Sequence, residues 1–352
     1  MNKSIICFFL LTGLVTGCKS AQKNTSSAMD QKGKNAVQFV GNPAEKKVDV
    51  LIDGSLFTSY IYPDNIAKPT LYPLITSTGK KLTRGFPLDP QPGERFDHPH
   101  HVGFWLNYGD VNGYDFWNNS FSEPENHKFG VIRHEKVVRT DGKKGLLEVK
   151  AKWVSGDQED LLSESTQFYF SASGNTRRID RFTTLTALTD VTFNDNKEGL
   201  IGIRVIRALE LPSGSPEFYL GADGKPMKEK AVNNEGVTGN YLSSEGLTGG
   251  GVWGTRGKWM YLYGRLDGDP VSLTLIDHPG NVGYPTYWHA RGYGLFAANP
   301  LGQKIFSEGR EELNFSLKKG ESVTFRYRLL VQGGSGLSKE EIDRSFEEFS
   351  EK

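Results

Sequence analysis

Three of the chain's seven histidines fall within four positions, in the stretch RFDHPHHVGFW at residues 95–105. Imidazole changes charge near neutral pH, so such a cluster offers proton transfer. It also offers metal ligands. Alternate residues of an extended segment converge, and His98 with His100 would then hold a divalent metal. A third reading is structural, with His100 in a core and the others hydrogen-bonded in a loop. If residues 100–108 form one strand, His100, Val102, Phe104 and Leu106 face one way, and His101, Gly103, Trp105 and Asn107 the other. The first set is apolar and belongs to a core. The second offers an imidazole, an aromatic plate for a sugar ring and an amide for its hydroxyls. His98 precedes Pro99 and is expected to be extended.

Two further stretches carry chemistry. In EGLIGIRVIRALE the apolar side holds Gly199, Ile201, Ile203, Val205 and Leu209. Glu198, Gly202 and Arg204 lie opposite, a carboxylate and a guanidinium able to flank a ligand. An exposed salt bridge would use the same residues to little effect. In SLTLIDHP the pair Asp277 and His278 ends a strand, where sites often sit. Further on, His289, Arg291 and Tyr293 share a face of WHARGYG. Arg84 beside Gly85 is either a ligand clamp or a surface charge.

Strands must position these groups. In LLEVKAKWV, Leu147, Val149, Ala151 and Trp153 alternate with Glu148, Lys150 and Lys152, the pattern of a half-buried antiparallel strand. TQFYFSASG, RRIDRFTTLTAL, WMYLYGRL and SLTLID read the same way. ELNFSLKKGESVTFRYRLLVQ reads as a hairpin turning at Lys318–Glu321. One helix is expected over 338–350, from the capping box Ser338-x-x-Glu341 and the spacing of Ile342, Phe346 and Phe349. The chain is therefore all-β, a large antiparallel β-sandwich with a C-terminal helix.

The first residues, MNKSIICFFLLTGLVTGC, have one early lysine, a short apolar run and small residues ahead of Cys18. The run is too short to span a bilayer and reads as a secretory leader over 1–17. Its end resembles a bacterial lipobox, which implies lipidation of Cys18. Residues 18–36 then form a polar tether with too little apolar surface to fold, and 37–352 one domain. The only other cysteine is Cys7, so the mature body has no disulfide and no cysteine chemistry. Formal net charge is zero, and loss of the leader removes only Lys3. Nothing attracts a polyanion, so no nucleic acid partner is expected. There is no P-loop, dinucleotide fingerprint or G-x-S-x-G elbow.

Several phrases together carry a family resemblance: KPTLYPLITSTGKKLTRGFP, DHPHHVGFWLNYGDVNGYDFW, EGLIGIRVIRALE, GGGVWGTRGKWMYLYG and DHPGNVGYPTYWHARGYGLFAANPLG. Over roughly residues 45–335 the chain resembles the bacterial "methane oxygenase PmoA"-like domains. That family is functionally uncharacterised. The resemblance implies a secreted or lipid-anchored product of sugar-degrading bacteria, with a sandwich of the galactose-mutarotase-like kind. The resulting expectation is a periplasmic or cell-surface lipoprotein acting on a sugar or glycoside. His101, His278, His289 and Glu198 would be its acids and bases, Arg204 its charge stabiliser and Trp105 its stacking platform. Arg84, Asn107, Asp277, Arg291 and Tyr293 would line the ligand. The alternatives are a non-catalytic sugar-binding lipoprotein and a metalloenzyme or oxidoreductase using His98 and His100.

Overall fold

Period-two alternation becomes two large sheets in the computed structural model, which describes residues 36–120 and 128–352 together with Met1 and Ser122. The leader and Cys18 lie outside the described residues. Lys34–Lys352 is one compact unit. The strands are β1 (Val37–Asn42), β2 (Lys47–Ile52), β3 (Ser55–Ile61), β4 (Thr70–Leu71), β5 (Phe104–Leu106) and β6 (Val131–Asp141). Next come β7 (Leu146–Val154), β8 (Asp160–Ser173), β9 (Thr176–Ala187), β10 (Val191–Phe193), β11 (Ile201–Arg204) and β12 (Asn240–Ser243). The last are β13 (Trp259–Leu266), β14 (Asp269–Asp277), β15 (Tyr287–Ala290), β16 (Leu295–Asn299), β17 (Phe315–Leu317) and β18 (Ser322–Gly333).

The first sheet runs β1-β2-β3-β4-β5-β11-β16-β15, and the second β12-β13-β14-β18-β9-β8-β7-β6. One core joins them: Phe104, Leu106, Ile201, Ile203, Phe296 and Ala298 from the first pack with Val149, Ala151, Trp153, Ile179, Leu273, Leu275 and Leu329 from the second. The antiparallel sandwich with a C-terminal helix is thus the architecture of the protein. Among the described residues no helix is long and apolar enough to cross a membrane.

Each sheet also carries packing on its outer face. The helix Lys339–Ser350 starts at the expected capping box of Ser338 and Glu341. It buries Ile342 and Phe349 against Trp259, Ile276 and Leu330 of the second sheet, each worth about 1.5–3 kcal/mol. On the outer face of the first sheet a small cluster forms from Trp105, Trp117, Leu295 and Ala297, with Tyr293 at its edge.

Two local expectations change. The turn at Lys318–Glu321 is present, with the Glu321 amide donating to Lys318 O at 2.8 Å, but its arms do not pair. β17 pairs with β10, while β18 is taken by β14 and β9. Long β18 finds more apolar cross-strand neighbours in the second sheet than the three-residue β17 offers. The strand expected over 100–108 shrinks to β5, because residues 98–103 turn back over the sheet. Gly103 makes that turn at φ +63°, where a Cβ would lie 2.3 Å from Leu71 O, so only glycine fits.

Candidate functional site

The outer face of the first sheet carries one continuous cross-strand row. Trp105 pairs with Gly202, Gly202 with Ala297, and Ala297 with His289. The small residues at its centre leave a trough. The Trp105 indole lies over Gly202, where a Cβ would meet it at 2.7 Å. One step along, Arg204 pairs with Leu295 on the same face. Tyr293, in the turn before β16, lies across the Arg204 guanidinium at 4.9 Å.

The loop 94–101 folds over this row and stacks its rings on it. His101 lies on Trp105 with centroids 5.3 Å apart, His98 on His101 at 4.9 Å, and Tyr293 on His98 at 5.1 Å. The loop is held by Arg84, whose Nη1 donates to Asp97 O at 2.8 Å and whose Nη2 donates to His98 O at 2.8 Å. Asp97 is the hinge of the arrangement. Its Oδ1 accepts from Arg84 Nη1 at 2.9 Å and Arg204 Nη2 at 2.6 Å. Its Oδ2 lies 2.9 Å from His98 Nδ1, an ion-pair contact poorly aligned as a hydrogen bond. Burial pushes the Asp97 carboxyl up, but His98 and the two guanidiniums outweigh it and hold it well below the usual carboxylate range.

Burial sorts the histidines. His101 is 2% exposed, and its Nδ1 faces Arg204 Nη1 at 3.2 Å. A guanidinium only donates, so Nδ1 accepts and the proton sits on Nε2. Burial, with His100 and Arg204 nearby, pulls the His101 pKa far down. His289 is 3% exposed, and its Nδ1 donates to Lys197 O at 3.0 Å. Burial, then Lys197 and Arg291, pull it down to about 3. His100 is lowered likewise, by burial and then Lys68. These three imidazoles are neutral at physiological pH. His98 differs, for its side chain is 39% exposed and backed by a carboxylate.

The structure brings most of the sequence-predicted residues to this face and corrects several roles. His289, Tyr293 and Glu198 meet the first cluster, with Glu198 Oε2 3.9 Å from His289 Nδ1. Arg291 packs between Trp253 and Tyr293. Trp105 and Asn107 are both fully buried, and the indole N–H is consumed by Asn107 Oδ1 at 3.0 Å. They form the floor under His101 and cannot be the ligand's plate or amide. Arg84 and Arg204 are also buried and spend their Nη groups on the loop and Asp97, so they position the loop rather than stand open to a ligand. His98 is not extended: it sits at φ +47°. The His98 and His100 rings meet edge to face at 5.6 Å, and among the described residues no group of three or more His, Cys, Asp or Glu is arranged to hold a metal ion.

Asp277 and His278 are not part of this site. They end β14 in the second sheet, where His278 lies edge-on to Phe349 at 5.2 Å under the C-terminal helix. Its Nδ1 accepts from the Gly280 amide at 2.9 Å. Asp277 accepts from Asn281 Nδ2 and the Thr286 amide, and burial raises it to about 7 despite these bonds. Asp277 faces inward at the end of β14 and His278 faces the C-terminal helix, so of the second histidine stretch only His289 shares the face of the stacked rings.

Sequence reasoning passed over Asp97 and Lys68. The first stands beside His98 in the opening stretch, and an Asp-His dipeptide was the available signal. The second had none.

Among solved structures, the chain is similar to the α-galactosidase AgaB of Geobacillus stearothermophilus (12% identity, TM-score 0.40), covering 85% of this chain and 41% of that one. It is also similar to a galactose mutarotase related enzyme of Lactobacillus acidophilus (9% identity, TM-score 0.33), covering 85% and 98%. A third is the Slr1438 protein of Synechocystis sp. PCC 6803 (10% identity, TM-score 0.30), covering 85% and 96%. The chain thus spans about two fifths of the α-galactosidase's length. No curated protein matches it. Residues 47–347, from β2 through most of the terminal helix, match one family throughout. The chain belongs to DUF6807, a family of unknown function.

Proposed function

We propose that this protein binds a sugar or glycoside on the outer face of the first sheet and performs acid–base chemistry on it, with His98 as the proton-transfer group. The observation that carries this reading is the Asp97–His98 pair. A carboxylate gripped by two buried arginines backs an imidazole that is partly open to water. The His98 backbone is held at positive φ, where a side chain of this size is strained. Such strain persists only where surrounding contacts impose it, and it gathers at functional sites.

The roles follow from exposure. His98 takes or gives the proton at a sugar carbon or glycosidic oxygen. Tyr293, stacked on His98 and partly exposed, supplies the flat apolar surface that a pyranose ring packs against. Glu198, 18% exposed beside His289, is the second carboxylate at the rim. Arg204 and Arg84 keep Asp97 ionised beside His98. Cleavage and isomerisation both use this set.

A saccharide panel titrated into the purified protein tests the reading. Tyr293→Ala is expected to weaken binding of the best ligand by about fivefold or more, the scale of one aromatic contact. Absence of any saccharide binding at millimolar concentration would overturn the proposal.

We also propose that the chain is a lipoprotein held at the periplasmic or cell-surface side of a membrane through Cys18, and that it shares ancestry with the PmoA-like domains. Cys18→Ser is expected to move the protein from the membrane fraction to the soluble one and to remove the acyl mass. Retention of Cys18→Ser in the membrane fraction contradicts the anchor.

A further inference from the structure

Lys68 precedes β4 and reaches the same histidine cluster from beneath. It is only 4% exposed. Its Nζ donates to His100 O at 2.7 Å and stands 5.4 Å from the Trp105 ring. No carboxylate among the described residues pairs with it. Asp115 acts on it only at longer range, and the Asp115 oxygens are occupied by the amides of Trp117 and Asn118 and by the Asn118 side chain. A buried ammonium without a counter-ion is costly. Burial accordingly pulls Lys68 down to about 7, with Asp115 opposing.

His100 is the second unusual group. It is 8% exposed, and neither Nδ1 nor Nε2 has a hydrogen-bond partner. Buried polar groups almost always find partners. Lys68 and His100 line one narrow cleft, with Pro99, Asn119 and Ser120, whose free volume of about 10 Å³ admits a single oxygen-sized group. A larger cleft of about 430 Å³, walled by Tyr62 and His134, shares Lys68 with it.

We propose that the Lys68–His100 cleft receives an anionic group of the substrate, a carboxylate or a sulfate ester, so that the natural ligand is an acidic sugar. The inference rests on the proposed sugar site, because the His98 and His100 rings are 5.6 Å apart and a single sugar unit can reach both. One anionic oxygen enters the cleft and gives Lys68 the counter-ion that no carboxylate among the described residues supplies, and the His100 imidazole donates its N–H to the same oxygen. These are charge-assisted hydrogen bonds, stronger than those a neutral hydroxymethyl group makes. Arg84 and Arg204 do not serve here, since neither lines this cleft and their Nη groups are held by Asp97 and the loop.

Calorimetric titration of the full chain with D-glucuronate, D-galacturonate, D-glucose, D-galactose and sodium sulfate tests this. Wild-type protein is expected to bind a uronate about tenfold or more tighter than its neutral parent, the low end for one hydrogen bond to a charged group. Sulfate should compete with the uronate. Lys68→Met should reduce the preference to about twofold while keeping affinity for the neutral sugar. Equal wild-type affinity for uronate and neutral sugar overturns the inference and leaves the sugar site standing; that comparison needs no variant to fold. A preference unchanged in Lys68→Met also overturns it. Sulfate bound by the wild type but not by Lys68→Met, with no sugar bound by either, supports the anion cleft and overturns the sugar site.

Discussion

Under the proposed function, replacing His98 by Gln is expected to lower turnover of a saccharide substrate about a thousandfold and to leave ligand affinity within about threefold. The size follows from the 10²–10⁴ that a positioned acid or base contributes. The choice of His98 follows from elimination by environment. His101 has its Nδ1 turned to Arg204 and its ring sealed between His98 and Trp105. His289 spends its Nδ1 proton on Lys197 O. Both are desolvated enough to stay neutral, and a group that cannot accept a proton near neutral pH is a poor base. His98 alone in the cluster combines exposure with a carboxylate partner. Glutamine keeps a polar side chain of similar reach, so ligand contacts survive while proton transfer does not. Steady-state kinetics beside calorimetry separate the two effects. Full turnover in His98→Gln, or turnover lost in His289→Gln alone, places the chemistry elsewhere. Ligand binding without turnover in the wild type makes this a binding protein.

The tripeptide Asp-His-Pro occurs twice, at 97–99 and at 277–279, and it shows where sequence reading ends. Locally the two copies offer the same chemistry. What distinguishes them arrives from far along the chain. Asp97 receives Arg84 and Arg204, the second over 100 residues away, and stays ionised. Asp277 receives an amide side chain and a backbone N–H, and burial raises it. No local pattern predicts which partner folds back. Periodicity by contrast was legible, because alternation depends only on which face meets a core. The faces assigned to Leu147–Trp153, to Ile201–Arg204 and to Leu273–Asp277 are those observed. The depth at which a residue sits on its face was not legible. Trp105 was placed on the right side of its strand, yet it lies under a loop whose return depends on Gly103 and Arg84. Partnering between strands was equally hidden: the turn at 318–321 is local, while the choice of β10 over β18 for β17 is not.

The largest loss of stability is expected far from the stacked rings, at Arg328. Its guanidinium is fully buried and holds Asp180 bidentately, with Nε donating to Oδ1 at 2.6 Å and Nη2 to Oδ2 at 2.9 Å. Its Nη1 donates to Ser345 O at 2.8 Å, and its plane covers Phe349 at 4.8 Å. One side chain therefore ties β9, β18 and the C-terminal helix together. Arg328→Met keeps volume but strands a buried carboxylate, with only the half-exposed Lys352 Nζ at 2.8 Å to compensate. The expected cost is about 3–5 kcal/mol in urea unfolding. Adding Asp180→Asn should recover part of it, since the stranded charge is then gone. The pH dependence has a definite sign. Burial raises the Asp180 carboxyl, but Arg328 and Lys352 outweigh it, and the net shift is downward. A depressed carboxyl stabilises the fold above its unfolded pKa, near 4, and that contribution fades as pH falls through the folded value. Wild-type stability should therefore fall below about pH 4 more steeply than that of Asp180→Asn. Saccharide affinity should be unchanged in folded Arg328→Met, because the sandwich core stands between the two faces. A cost under about 1 kcal/mol would mean that apolar packing of Ile342 and Phe349, with the Trp259–Asp343 and Lys352–Asp180 contacts, holds the helix without Arg328.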